Sequence, residues 1–337
     1  MDTFTALAVG YVGQQFLLWG IGESLTNVTL TNPQVLALRD VKHDLVITEA
    51  FFFQEALLGF ADHYKVPSIV LNPFGFNLWL NDLTGGAINP SYVPNALLWM
   101  TDHMSFYERL INTLYGIFEL VGYYGWYYAK QDALLHQAFP NAPPLKELVR
   151  NISLTMVNNQ AALSYPVPLA PTVLEVGGLH ITPGKPIPAD LKKWLDDSPN
   201  GFVYFSMGSN LKASDMPKEK IDIFLTAFRS LRQKVLVKWD AKIPENAPAN
   251  CKFEPWLPQQ EVLNHPKAVV FITHGGLLST QESVYHGVPV VGIPIFGDQF
   301  MNMEVAKRKG FGAMVSYKEL SVAALAAALD DVLHNPS

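Results

Sequence analysis

Val269-Val-Phe-Ile-Thr273-His-Gly-Gly-Leu-Leu-Ser-Thr-Gln-Glu282 is the stretch from which the fold can be read. Val269–Thr273 suits a buried strand, His274-Gly275-Gly276 breaks it, and Leu278–Tyr285 has helical character. A strand that turns through glycines into a helix is one half of a parallel strand–helix–strand unit. Outward from it the pattern repeats. Strands are expected at Phe202–Phe205, Val235–Trp239, Val290–Ile293 and Ala313–Val315, with helices at Pro217–Ser230, Gln299–Lys309 and Ser321–Leu333. Such alternation predicts an α/β, doubly wound parallel sheet.

The first half has a different texture. Asp44–Thr48 and Ser68–Leu71 read as strands around a helical stretch, Gln54–Tyr64, which makes one further unit of the same kind. Tyr92–Phe139 reads as helical and dense in Tyr, Trp and Phe. Between the halves, Tyr165–Pro188 carries six prolines, the mark of a linker. The expected division is therefore residues 1–165, a linker at 166–190, and residues 191–337.

Composition narrows the function. Hydrophobic residues make up 49% and charged residues 16% of the 337, against a typical charged share of about 25%, so the chain is no disordered protein. Lys plus Arg is 24 and Asp plus Glu is 30, giving −6, so no basic surplus exists for a nucleic-acid backbone. A single cysteine, Cys251, excludes an intrachain disulfide and a cysteine-based metal cluster. Phe4–Gly22 is uncharged, but Asp2 stands where a signal peptide needs a cation, and an ordinary packed helix is the better reading. Leu110–Ala129 is long enough to span a bilayer. Its Asn112, Thr113, Glu119 and five tyrosines instead favour a helix beside an apolar pocket or on a membrane surface. Two glycosylation triplets begin at Asn27 and Asn151.

Ligands of doubly wound sheets bind beyond the carboxyl ends of the strands. Three polar junctions stand there: Ser206-Met-Gly-Ser-Asn210, His274–Glu282 and Pro294-Ile-Phe-Gly-Asp-Gln299. Gly275 and Gly276 allow close approach of backbone to ligand, and the following helix start favours an anion. His274 and Ser279 add donors, so the segment suits a phosphate; an ordinary glycine turn with a serine cap fits the same residues. Ser209 sits in a second glycine-bearing turn. Asp298-Gln299 suits adjacent sugar hydroxyls, or a plain helix cap. Trp256, in Trp256-Leu-Pro-Gln259, can stack on a base, or serve as core.

Together, Trp256-Leu-Pro-Gln259, Phe271-Ile-Thr-His-Gly-Gly276, Ser279, Glu282, His286-Gly-Val-Pro289, Pro294 and Asp298-Gln299 resemble the signature of the UDP-glycosyltransferases, with Leu277–Thr280 similar to the insect members. Ser206–Ser209 and Asp44–Phe53 resemble that family too. The resemblance implies a glycosyltransferase-B fold with two Rossmann-like domains: an N-terminal acceptor-binding domain, incomplete here, and a C-terminal domain for the UDP-sugar. It further implies that Trp256 stacks on uracil, Gln259 and Glu282 contact the ribose, and Ser209, His274, Gly276 and Ser279 line the phosphates. Asp298 and Gln299 would hold the sugar. The implied reaction is inverting transfer of a hexose from UDP-glucose or a related UDP-sugar to a hydroxyl of a small lipophilic acceptor, in detoxification-type conjugation. UDP-sugar is then a co-substrate, with no cofactor and no metal. The family's place is the lumenal side of the endoplasmic reticulum membrane.

The family's base is a histidine after the first N-terminal strand, oriented by an acid. Glu49 falls at the acid's position, but no histidine stands at the base's, and the chain is expected to be short at both ends: Asn335-Pro336-Ser337 closes it before any anchor. His43, His63 and His103 read as structural or solvated. The alternative is a nucleotide-sugar-binding fragment without turnover. A cytosolic antibiotic-type glycosyltransferase would share the fold without needing the triplets or the apolar 110–129 segment.

Overall fold

The computed structural model describes residues 10–49, 53–75, 78–87, 89–209 and 211–334. Expectations for Phe4–Val9, Asn210 and Asn335–Ser337, and for the residues between Glu49 and Phe53, lie outside them. The chain divides into two compact units, Val9–Gly177 and one covering Gly178–Ser337, so the boundary falls inside the proline-rich stretch.

The first unit contains α1 (Tyr11–Thr31), α2 (Pro33–Leu36), β1 (Val46–Glu49), α3 (Gly59–Tyr64), β2 (Ser68–Asn72), α4 (Leu78–Leu83), α5 (Phe106–Gly122), α6 (Tyr128–Ala138), α7 (Leu145–Arg150), β3 (Leu154–Val157) and β4 (Val173–Glu175). Its sheet is β1-β2-β3-β4, all parallel. α1 buries Gln15, Trp19, Gly22, Thr26 and Leu30, spaced three or four apart as one helix face requires. Trp19 stacks on Tyr127 at 6.0 Å, and with Phe53, Trp79 and Tyr123 these rings form an aromatic core.

Two helical expectations change here. The stretch from Pro90 to Ser105 is turns and bends, and helix begins only at Phe106, where Ser105 and Glu108 form a capping box. The turns are held from α5. Asn112 Nδ2 donates to the Pro90 and Val93 carbonyls, and Glu119 Oε2 accepts from Asn95 Nδ2 at 2.7 Å. Polar residues of α5 therefore face inward, while Leu110, Ile111, Leu114, Ile117 and Val121 are exposed. The second change is a single wide turn, Tyr123–Tyr127, which separates α5 from α6. Among the described residues, no helix is long and apolar enough to cross a membrane. Asn27 and Asn151 are both exposed, Asn27 within α1.

The second unit contains α8 (Ala189–Asp196), β5 (Phe202–Ser206), α9 (Lys218–Ser230), β6 (Lys234–Lys238), β7 (Cys251–Glu254), α10 (Gln259–Leu263), β8 (Ala268–Thr273), α11 (Leu277–Tyr285), β9 (Val290–Gly292), α12 (Gln299–Arg308), β10 (Gly312–Met314) and α13 (Val322–His334). Six parallel strands lie in the order β10-β9-β8-β5-β6-β7. Alternation along each strand feeds two cores. Val203, Phe205, Val235, Val237, Val270 and Ile272 pack with Phe224, Phe228, Leu325 and Leu329 of α9 and α13. Phe202, Tyr204, Leu236 and Phe271 pack on the other face with Leu191, Leu195, Val262 and Met303. Apolar side chains on both faces are what a sheet covered by helices on both sides demands.

Candidate functional site

After β5 the chain builds outward through β6 and β7, then returns to the other side of β5 as β8. The strand order reverses between β5 and β8, and ligands of open α/β sheets bind beyond the carboxyl ends at that point. The two loops there meet around one side chain. A Cβ on Gly208 would lie 2.6 Å from His274 Cε1, and one on Gly276 would lie 2.8 Å from His274 Nε2. The imidazole is thus held between two glycines, and its Nδ1 is buried without a hydrogen-bond partner. Burial, and after it the Lys238 charge, push the ring down to about 4. At neutral pH His274 is an uncharged donor or acceptor rather than a cation.

Lys238 carries the positive charge. Standing at the end of β6, its Nζ donates to the Gly208 carbonyl at 2.7 Å and sits 4.7 Å from the centre of the Trp256 ring. Trp256 follows β7 and is 71% exposed, so this is no core tryptophan and the indole is accessible for stacking. Ser209 is exposed in the loop after β5.

A second cluster lies between α10 and α11. Gln259 Nε2 donates to Ser279 Oγ at 2.9 Å and to Glu282 Oε2 at 2.7 Å, while its Oε1 accepts from the Tyr204 hydroxyl at 3.2 Å. Both amide N–H groups of Gln259 are thereby used within the protein. Gln260 Nε2 lies 3.4 Å from Glu282 Oε1. Ser279 makes no cap; no side chain caps α11, whose first turn leaves backbone N–H groups and its positive dipole end facing the loop.

The third junction has its own hydrogen bonds. Asn302 Nδ2 donates to Asp298 Oδ2 at 2.8 Å and to the Gly275 carbonyl at 2.9 Å, which ties the loops after β9 and β8 together. Loss of solvent raises the Asp298 carboxyl to about 6, against the pull of Asn302. Asp298 occupies the cap position of α12 but its side chain does not cap. Gln299 is buried and its Oε1 accepts from the backbone N–H groups of Ile295 and Phe296.

The strand ends thus gather the sites at Ser209, Trp256, Gln259, His274, Gly276, Ser279, Glu282, Asp298 and Gln299 along one edge of a single sheet. Lys238 is the residue that sequence reading passed over. It belongs to no motif, and only strand order brings it beside Trp256 and Gly208. Glu49 lies in the first unit, at the carboxyl end of β1. Phe53, just beyond, is buried with a φ of +57°, a strained conformation for a bulky residue of the kind that clusters at functional sites.

The histidines of the first unit have local partners. The His43 ring lies against Tyr64 and the His63 Nε2 against the Arg39 carbonyl, while His103 lies 3.8 Å from Asp102. His136 contacts the carbonyls of Asp132 and Ala142.

Comparison with known proteins follows the same lines. A sequence profile described as UDP-glucoronosyl and UDP-glucosyl transferase matches residues 20–337. The UDP-glycosyltransferase UGT5 of Dactylopius coccus is 37% identical over 298 residues, which is 88% of this chain and 56% of that protein. Human UDP-glucuronosyltransferase 2B10 is 32% identical over 330 residues, 96% of this chain and 62% of its own length. The chain therefore spans little more than half the length of these relatives. Among solved structures, the spinosyn forosaminyltransferase SpnP superposes with a TM-score of 0.63 at 16% identity, over 91% of this chain and 73% of that one. A Polygonum tinctorium UDP-glucosyltransferase gives 0.61 at 20% identity, over 92% and 72%. These likenesses identify the two parallel-sheet units as a glycosyltransferase-B fold, and the chain belongs to the UDP-glucuronosyl and UDP-glucosyl transferase family.

Proposed function

We propose that the second unit binds a UDP-sugar beyond its strand ends, and that the protein transfers the hexose, with inversion, to a hydroxyl of a small lipophilic acceptor. The observation that carries this is the meeting of His274, Gly208 and Lys238 at the strand-order reversal, with Trp256 exposed beside them. In this reading uracil stacks on Trp256, the ribose faces Glu282 and Gln259, and the diphosphate lies over the Ser209 and Gly276 loops. The acceptor oxygen attacks the anomeric carbon as its bond to the β-phosphate oxygen breaks, and UDP leaves with the electron pair. Lys238, the α11 dipole and the loop donors stabilise that charge, so the reading needs no metal ion. The acceptor's proton passes to a general base, a role the family gives to a histidine oriented by an acid, for which Glu49 stands at the acid's position in the first unit.

A titration tests it. Trp256→Ala should weaken UDP by about 1–3 kcal/mol, the usual worth of base stacking; unchanged affinity would defeat the assignment. Asp298→Ala should spare UDP and weaken UDP-glucose by about 1–3 kcal/mol, the range for a hydrogen bond to a charged group. Equal losses for both ligands would refute a sugar contact.

A second reading, nucleotide-sugar binding without turnover, is favoured by the local engagement of His43, His63, His103 and His136. UDP release from UDP-glucose in a pool of phenolic acceptors separates the two. Detoxification-type conjugation at the lumenal face of the endoplasmic reticulum belongs to the same proposal. The outward apolar stripe of α5 supports contact with a lipid surface, and co-flotation of the chain with phospholipid vesicles is the result that this contact requires.

A further inference from the structure

Glu282 has a neighbour outside every motif. His180 lies in the proline-rich stretch, yet this part of it belongs to the second unit. Its segment is fastened to α10 by side chains. Gln260 Oε1 accepts from the Thr182 N–H at 3.1 Å, Gln260 Nε2 lies 3.3 Å from the His180 carbonyl, and Glu261 Oε1 accepts from the Lys185 N–H at 3.0 Å. A turn closed by Ile181 N–H on the Gly178 carbonyl presents the histidine to the carboxylate. There His180 Nε2 lies 3.4 Å from Glu282 Oε1. That nitrogen is shut off from solvent and makes no aligned hydrogen bond, so it is a buried polar atom aimed at the acid.

The two oxygens of Glu282 are held differently. Oε2 accepts from Gln259 at 2.7 Å, whereas among the described residues Oε1 has the longer hydrogen bond from Gln260 and the approach of His180, both at 3.4 Å. A carboxylate so held on one oxygen and loosely flanked on the other has acceptor capacity left for a vicinal diol. We propose that His180 is a positioning residue for that diol: by fixing Glu282, it makes the site select a ribonucleotide over its 2′-deoxy counterpart. This rests on the reading that the nucleotide's ribose faces Glu282. Without His180 the carboxylate keeps its place on Gln259 but loses its orientation at Oε1, where the second hydroxyl is read.

The test measures binding of UDP and of 2′-deoxy-UDP to the whole chain and to two variants. The wild-type chain should prefer UDP by about tenfold, the usual scale for one hydrogen bond to a charged group. His180→Ala should weaken UDP and leave 2′-deoxy-UDP nearly unchanged, which brings the ratio to about two or three. His180→Gln keeps an N–H donor at the reach of Nε2 and should restore most of the preference. A fold defect would lower both affinities together, so equal losses in His180→Ala, or no loss, would overturn the proposal. So would a wild-type chain that does not distinguish the two ligands. If neither ligand binds the wild-type chain, the UDP-site reading itself fails.

Discussion

At pH 8 a Glu55→Gln chain should resist urea better than the wild-type chain, by about 1–3 kcal/mol, and at pH 5 the gain should shrink below about 1 kcal/mol. Glu55 is buried in the first unit, and among the described residues neither of its carboxylate oxygens has a well-aligned hydrogen-bond partner. Burial raises its carboxyl from the usual 4.5 to about 7, against the pull of its own backbone N–H and of the Tyr123 hydroxyl, with a small push from the Glu49 charge. A raised carboxyl means that the fold prefers the neutral form. The stability this gives is complete below pH 4.5 and is lost as pH climbs through 7, leaving a cost of about 3 kcal/mol at pH 8. Glutamine removes the charge but still buries an amide, so part of that cost remains. Glu119 follows the same logic: it too is raised to about 7 by burial, against the pull of Asn95. The wild-type chain should therefore be more stable at pH 5 than at pH 8, although His274, held down at about 4, works in the opposite direction below pH 6.5. Urea midpoints that match between variant and wild type at both pH values would sink the argument.

Gly275→Ala should cost about 2–4 kcal/mol and weaken UDP-glucose binding with it. The backbone there has a φ of +85°, which an alanine adopts only at a cost of about 1–2 kcal/mol. Space is lacking as well. The new Cβ would stand 2.6 Å from Met303 Cγ and 3.1 Å from the Gln299 carbonyl, and Met303 is a fully buried residue of α12. Overpacking of this kind costs about 1–3 kcal/mol. Pushing α12 away strains the Asn302 bridge between the Gly275 carbonyl and Asp298, and so reaches the sugar-side loop. Gly287→Ala is the control: its φ is +69°, but nothing lies within 4 Å of the added Cβ. It should cost only the conformational share. Equal urea midpoints for the two variants would show that packing against Met303 does not matter.

The second sheet was legible because its strands are apolar on both faces and its glycine junctions are distinct. Val269–Thr273 and Leu278–Tyr285 needed adjustment by a residue at most. Cys251–Glu254 was missed, since Cys-Lys-Phe-Glu is short, half-buried and mixed in character, as an edge strand can be. Leu154–Val157 was missed because Leu-Thr-Met-Val is only four residues long and follows a helix after a short turn at Asn151. The stretch Tyr92–Met104 misled because its apolar residues pack without helical order, held by Asn112 and Glu119 of the helix that follows it. In the site, the glycine junctions could be picked out from the sequence, and the family resemblance named the motif residues in them. Lys238 and His180 could not, because each meets its partners only through strand order or through a clasped segment, and both are non-local.

The imidazole seated between Gly208 and Gly276 has a consequence for how the protein can vary. Two loops far apart in sequence, one at 208 and one at 274–276, share one small volume, and a side chain added at either glycine must take the space of the ring. Change at 276 is then open only to a chain that has already traded His274 for something smaller, while 208, at a φ of +79°, keeps its glycine on backbone grounds as well. A library that randomises the two glycines alone should return glycine at both, whereas one that also frees 274 should recover linked substitutions at 274 and 276 with glycine kept at 208.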